Sequence, residues 1–208
     1  MLTSFRAATI AASSYQEKTW NAGELTALYT VSEGTRVIAI PGTRAEISDW
    51  LRDLDIAPRW SSHLGFCHRG FLNGAAELRR CSPLADRDFA GAVLVGHSMG
   101  GALALLLAAI LVTENVSPHA VITFGAPRCG SWKLRRLLRR VPLRLYRNGD
   151  DPVPDVPWFP GLYLHPRALI PIGEPTFSPF VDHTIAGYRR ALAYAAYHLE
   201  LTAIKEKC

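Results

Sequence analysis

Apolar residues recur along this chain in two rhythms, and the alternation between them predicts the order of elements. Residues 25–31 and 36–40 are short apolar blocks flanking Ser32-Glu33-Gly34-Thr35, a turn signal, and read as adjacent strands. The rhythm then changes. Ile47, Trp50, Leu51 and Leu54 fall at i, i+3, i+4 and i+7, with Glu46, Asp49, Arg52 and Asp53 opposite, which predicts a short amphipathic helix. Residues 3–14 and 68–80 read as helices, and 89–95, 120–124 and 143–146 as strands. A helix over 131–141 places Trp132, Leu134, Leu137, Leu138 and Val141 mainly on one side. The proline-rich stretch that follows reads as loop with edge pieces at 162–164 and 168–172. A final helix over 184–199 carries Ile185, Tyr188, Leu192, Ala195 and Leu199 on its inner stripe. Strands alternating with helices predict an α/β fold: a mostly parallel sheet covered by helices on both faces, in one domain spanning 1–208.

The stretch 90–112 departs from both rhythms. Val93, Leu94 and Val95 lead into Gly96-His97-Ser98-Met99-Gly100, and then into an alanine- and leucine-rich segment that is apolar all round and therefore buried. A serine with glycine two residues away on either side, between a strand and a helix, is a nucleophile elbow. Its turn is sharp and strained, and the helix passes close to the strand, so only residues without a Cβ fit the flanking positions. The backbone N–H of Met99, at the helix start, would be one donor to an oxyanion.

A serine hydroxyl is a weak nucleophile near neutral pH. It needs an imidazole to take its proton and a carboxylate to orient that ring. In the α/β-hydrolase architecture, which the strand–elbow–helix order implies, the acid follows the serine in the chain and the histidine comes last. The acid should lie just past the carboxyl end of a strand. Asp150 and Asp151 both meet that condition. Of the three histidines beyond them, His183 stands at the mouth of the last helix, where a loop can return the ring to Ser98. His198 falls inside that helix, and His165 precedes a proline in an edge segment. His97 points away from its neighbour Ser98 and is expected to pack behind the turn.

Composition narrows the partners. The formal charge of +5 is mild, and its one dense tract is Lys133, Arg135, Arg136, Arg139 and Arg140 on a single helix. No aromatics interleave with that tract, so nucleic acid is not an expected partner. A transient contact of this face with a lipid surface is a second reading of it. No protein partner is implied. The longest apolar run, 102–112, falls far short of the roughly 20 residues of a membrane span. The N-terminal residues lack a signal-peptide pattern, and Cys67, Cys81, Cys129 and Cys208 form neither C-x-x-C pairs nor metal spacings. The expectation is a cytoplasmic protein with reduced thiols and neither metal nor cofactor.

Several motifs in order resemble the class 3, or fungal-type, lipases of the α/β-hydrolase superfamily. Gly96-His97-Ser98-Met99-Gly100-Gly101-Ala102-Leu103-Ala104 is similar to the family's elbow, and Thr123-Phe124-Gly125-Ala126-Pro127-Arg128 to its T-F-G-x-P-R strand end. Asp151-Pro152-Val153-Pro154 resembles the acid segment, which favours Asp151 over Asp150. Asp182-His183 resembles the family's D-H, and His68-Arg69-Gly70-Phe71 its H-x-G-F. Pro41-Gly42-Thr43 followed by Asp49-Trp50-Leu51-Arg52-Asp53-Leu54 is similar to the turn and D-W-x-x-D-L helix. The resemblance implies a Ser98–Asp151–His183 triad, an oxyanion hole of Thr43 and Met99, and a lid over 45–55 presenting Ile47, Trp50, Leu51 and Leu54. It further implies hydrolysis of a small-molecule lipid or ester substrate.

Overall fold

The structure is a computed structural model that describes residues 2–43, 57–159 and 161–205. The expected lid helix, with Ile47, Trp50, Leu51 and Leu54, lies outside the described residues. Seven strands form the main sheet: β1 (Trp20–Ala22), β2 (Leu25–Ser32), β3 (Thr35–Ile40), β6 (Val93–His97), β7 (Ala120–Phe124), β8 (Leu143–Asn148) and β9 (Ile170–Ile172), side by side in that order. β1, β2 and β3 are antiparallel, and every pair from β3 to β9 is parallel. A separate hairpin pairs β4 (Pro58–Ser61) with β5 (Gly65–His68).

The period-two alternation of the strands divides the core between two faces. Ile38, Ile40, Leu94, Val121, Leu143 and Leu145 point to one face, packed against α2 (Arg69–Arg80), α4 (Met99–Thr113) and α5 (Trp132–Leu137). Val37, Ala39, Val93, Val95, Ile122 and Phe124 point to the other, covered by α1 (Ser4–Ser13) and α7 (Ile185–Lys205). α4 is buried from Gly100 to Ala109 and again at Leu111, as its uniformly apolar sequence predicts.

The expected elements over 3–14, 25–31, 36–40, 68–80 and 120–124 match observed ones to within a residue or two at each end. Others need correction. The strand predicted from 89 starts at Val93, because Phe89 closes a short helix, α3 (Asp86–Phe89), and Gly91 turns the chain at φ +74°. The helix predicted over 131–141 is α5 followed by a 3-10 turn, Leu138–Arg140, and its Trp132 is exposed while Leu134 and Leu138 are buried. Residues 162–164 contribute a single bridge rather than a strand. Ala195, expected on the inner stripe of α7, faces solvent, whereas Tyr188 and Leu192 are buried.

Candidate active site

β6 delivers Ser98 at the carboxyl edge of the sheet, directly before the first residue of α4. Its backbone is held at φ 54°, ψ −129°, a conformation that side-chain-bearing residues rarely adopt. Close approach explains the flanking glycines: a Cβ on Gly96 would overlap the backbone of Gly100, and one on Gly100 would overlap the backbone of Ile40 and Pro41. The Ser98 N–H donates to the Phe124 carbonyl at 2.9 Å, which ties the Ser98 turn to the end of β7.

At the end of β8 and just ahead of α7, Asp151 and His183 form a buried pair. His183 Nδ1 stands 2.8 Å from both Asp151 carboxylate oxygens. Asp151 Oδ1 also accepts from the Val153 N–H at 2.9 Å, and Oδ2 from the Tyr188 hydroxyl at 2.6 Å. With Nδ1–H given to the carboxylate, the lone pair of His183 sits on Nε2, which has no hydrogen-bond partner among the described residues. Gly125 is the floor under this pair. At φ +62°, a Cβ there would stand 2.6 Å from Asp151 Oδ2 and 2.9 Å from the His183 ring.

Two further groups brace the pair: Tyr188, read from sequence only as an apolar stripe position, and Asp182, read only as part of the D-H motif. Tyr188 accepts from the Asn148 N–H at 3.1 Å while donating to Asp151, and burial together with the Asp151 charge holds its phenol well above the ordinary value. Asp182 accepts from the Asp150 N–H at 3.0 Å and from Thr176 through its N–H at 3.2 Å and its hydroxyl at 2.8 Å. Those bonds fasten the residue before His183 to the loop that carries Asp151. Asp150 itself is exposed. His183 falls at the end of a one-turn helix, α6 (Pro179–His183), rather than in a loop.

His97 does more than pack behind the turn. Its Nε2 lies 2.7 Å from the His183 carbonyl, which can only accept, so Nε2 carries the proton. Its Nδ1 then accepts from the Tyr15 hydroxyl at 2.6 Å, and the same Tyr15 oxygen accepts from the Gly42 N–H at 2.9 Å. Burial, helped by repulsion from His183, pushes His97 down to about 3, and burial raises Tyr15 to about 12 despite the Gly42 bond. Both groups stay neutral across the working range of an enzyme. A chain of bonds thus runs from the turn before Thr43, through Tyr15 and His97, to the backbone of His183.

Gly42 touches the Ser98 turn, since a Cβ there would stand 2.8 Å from Ser98 Cβ. Thr43 and Met99 line one cavity of about 630 Å³ together with Gly42 and Tyr15. The two remaining histidine candidates lie elsewhere. His165 bonds the Pro154 carbonyl at 2.7 Å, and His198 packs against Tyr194 and Tyr197 on α7. His68, from the H-x-G-F motif, caps α2 and stacks on Phe71. Burial pushes the Cys67 thiol up to about 12 and holds Cys129 well above its ordinary value, so both stay in the thiol form at neutral pH.

A family model described as "Lipase (class 3)" matches residues 37–160. A secreted mono- and diacylglycerol lipase of Fusarium solani is 28% identical over 142 residues, covering 62% of this chain and 42% of that protein. A chloroplastic phospholipase A1 of Arabidopsis thaliana is 34% identical over 94 residues, covering 39% of this chain and 17% of its own length. The chain therefore spans less than half of either relative. Among solved structures, a Rhizomucor miehei lipase in complex with its propeptide superposes with a TM-score of 0.65 at 21% identity, covering 80% of this chain and 66% of that one. The fold is thus that of the fungal lipases, the α/β-hydrolase fold expected from sequence.

Proposed function

The chain belongs to the class 3 lipase family, and from that membership we propose that it is a serine hydrolase that cleaves the carboxylic esters of lipids through an acyl-enzyme. The observation that carries this reading is the His183–Asp151 pair: a buried imidazole whose Nδ1 is engaged by a carboxylate and whose Nε2 is left without a partner. Ser98 attacks the ester carbonyl as His183 Nε2 takes its proton. Asp151 holds the tautomer that leaves Nε2 basic, and it stabilises the imidazolium that forms. The N–H groups of Thr43 and Met99 receive the oxyanion. His183 returns the proton to the leaving alcohol, and water releases the acid by the same steps in reverse.

The names of the relatives, a mono- and diacylglycerol lipase and a phospholipase A1, support a glyceride or glycerophospholipid ester over a small soluble one. The test is hydrolysis of p-nitrophenyl esters from acetate to palmitate, alongside a diacylglycerol and a phospholipid, with wild type beside Ser98→Ala. Rates that rise toward long chains and vanish in the variant are expected, a loss of ~10⁴-fold or more. Turnover confined to acetate and butyrate would make the chain a short-chain esterase on this fold. Comparable turnover in Ser98→Ala would overturn the mechanism.

A further inference from the structure

One side of the molecule combines two features that the ester-cleaving site does not use. The first is charge. α5 and the 3-10 turn after it carry Lys133, Arg135, Arg136, Arg139 and Arg140, and no acidic residue occurs between Glu114 and Asp150. The four arginines are exposed, and none meets a carboxylate among the described residues. Lys133 is held in place instead, donating to the Ser62 carbonyl with its ammonium 5.8 Å from the centre of the Trp60 ring. A groove of about 380 Å³ runs between Trp132 and the basic side chains.

The second feature is an unburied aromatic rim. Trp60 and Phe66 face each other across the β4–β5 hairpin at 4.9 Å. That hairpin joins the base of α5 through the Ser131 N–H, which donates to the Phe66 carbonyl at 2.9 Å. Gly130 bridges to Cys67 on β5 and also to Leu164; the Leu162 and Tyr163 N–H groups beside it donate to the Phe159 carbonyl, next to Trp158. Trp60 is 60% exposed, Trp132 61% and Trp158 74%. All three described tryptophans outside the core therefore lie on segments joined through the backbone around Gly130, with Trp60 and Trp132 on the two elements that meet at Ser131. Tryptophan rings with a polar N–H suit the headgroup level of a bilayer, and unpaired arginines suit lipid phosphates of net negative charge.

We propose that the α5 face, with the Trp60, Trp132 and Trp158 rim, docks the protein on anionic lipid surfaces. The aromatic rim supplies apolar insertion whatever the headgroup, and the arginines supply the preference for negative charge. The role this gives the face, bringing the enzyme to its substrate, rests on the lipid-ester reading. The binding itself does not. Each basic residue near an anionic surface contributes about fivefold in partitioning, and the effect decays within a screening length of about 8 Å at physiological salt.

The experiment is sedimentation of the Ser98→Ala protein with vesicles of phosphatidylcholine alone or of an equal mixture with phosphatidylglycerol. No turnover is needed, so failure of docking and failure of ester hydrolysis are read separately. Partitioning at least tenfold stronger on the mixed vesicles is expected, lost in 1 M salt. Combining Arg135→Gln, Arg136→Gln, Arg139→Gln and Arg140→Gln abolishes the difference, and Trp60→Ser with Trp132→Ser weakens binding to both vesicles. The same face variants in the wild-type background keep their hydrolysis of dissolved p-nitrophenyl butyrate, which shows that they are folded. Equal sedimentation on both vesicles, no effect of the arginine changes, or preferential binding to a DNA oligonucleotide would each overturn the proposal.

Discussion

His97→Asn tests whether the imidazole beside Ser98 is a buried neutral strut. Its folded value of about 3 lies below the ordinary 6.5, so in the window between them the unfolded chain binds a proton that the folded protein refuses. The sign follows. The His97 contribution is complete above pH 6.5 and is lost as pH falls, until it is exhausted near 3. The slope in that window is about 1.4 kcal/mol per pH unit, so His97 alone removes about 2 kcal/mol between pH 8 and pH 5. Asparagine places its Oδ1 where Nδ1 stood and keeps an acceptor for the Tyr15 hydroxyl, but it does not titrate. It also loses the donor to the His183 carbonyl, at a cost of about 1–3 kcal/mol at every pH. Urea unfolding of both proteins at pH 8 and pH 5 reads the two effects apart. His165, which burial holds below its ordinary value in both proteins, cancels in the difference. The variant should start lower at pH 8 and lose about 2 kcal/mol less than wild type on going to pH 5. Equal losses would mean that His97 is protonated in the folded protein, and the bond chain from Gly42 to His183 would have to be redrawn.

Two other substitutions probe the brace around the His183–Asp151 pair. Gly125→Ala puts a methyl group 2.6 Å from Asp151 Oδ2 on a backbone at φ +62°, so it should displace the pair and lower kcat by at least ~100-fold. Cooperative unfolding should persist, and steady-state kinetics beside a thermal melt checks both. Tyr188→Phe removes the 2.6 Å donor to Asp151 and strands the Asn148 N–H, and should cost about 1–3 kcal/mol of stability in urea unfolding. It should also lower kcat by about tenfold with KM unchanged.

The parts of the fold legible in the sequence were those with a strong local rhythm. The short apolar runs of β3, β6 and β7 mark residues that fill both faces of a sheet, and the glycines around Ser98 mark backbones that pass within contact distance. The β4–β5 hairpin left no trace, because Pro58, Arg59 and Trp60 face solvent and obey no burial period. The bracing groups were hidden for a different reason. Tyr188 reads as one more apolar position on the stripe of α7, yet its hydroxyl reaches Asp151, 37 positions away. Tyr15 belongs to no motif and meets His97 across 82 positions. A phenol's apolar body satisfies a periodicity argument, and its polar tip finds its partner only once the chain has folded. Trp132 shows the reverse: grouped by spacing with the apolar side of its helix, it stays in solvent while Leu134 and Leu138 are buried.

Tyr15 lies outside the family-matched span of 37–160, as do the helix before it and the first two strands after it. The recognisable core is therefore not a portable module. A fragment trimmed to the matched span would leave the sheet face made by Val37, Ala39, Val93, Val95 and Ile122 without α1, and would take the phenol from beneath Gly42. Protein engineers who graft this scaffold, or who choose where to begin an expressed fragment, must carry its leading residues as part of the working machine. Through Tyr15 that segment is tied to the Ser98 turn as well as to the core, even where nothing in its own sequence advertises a role.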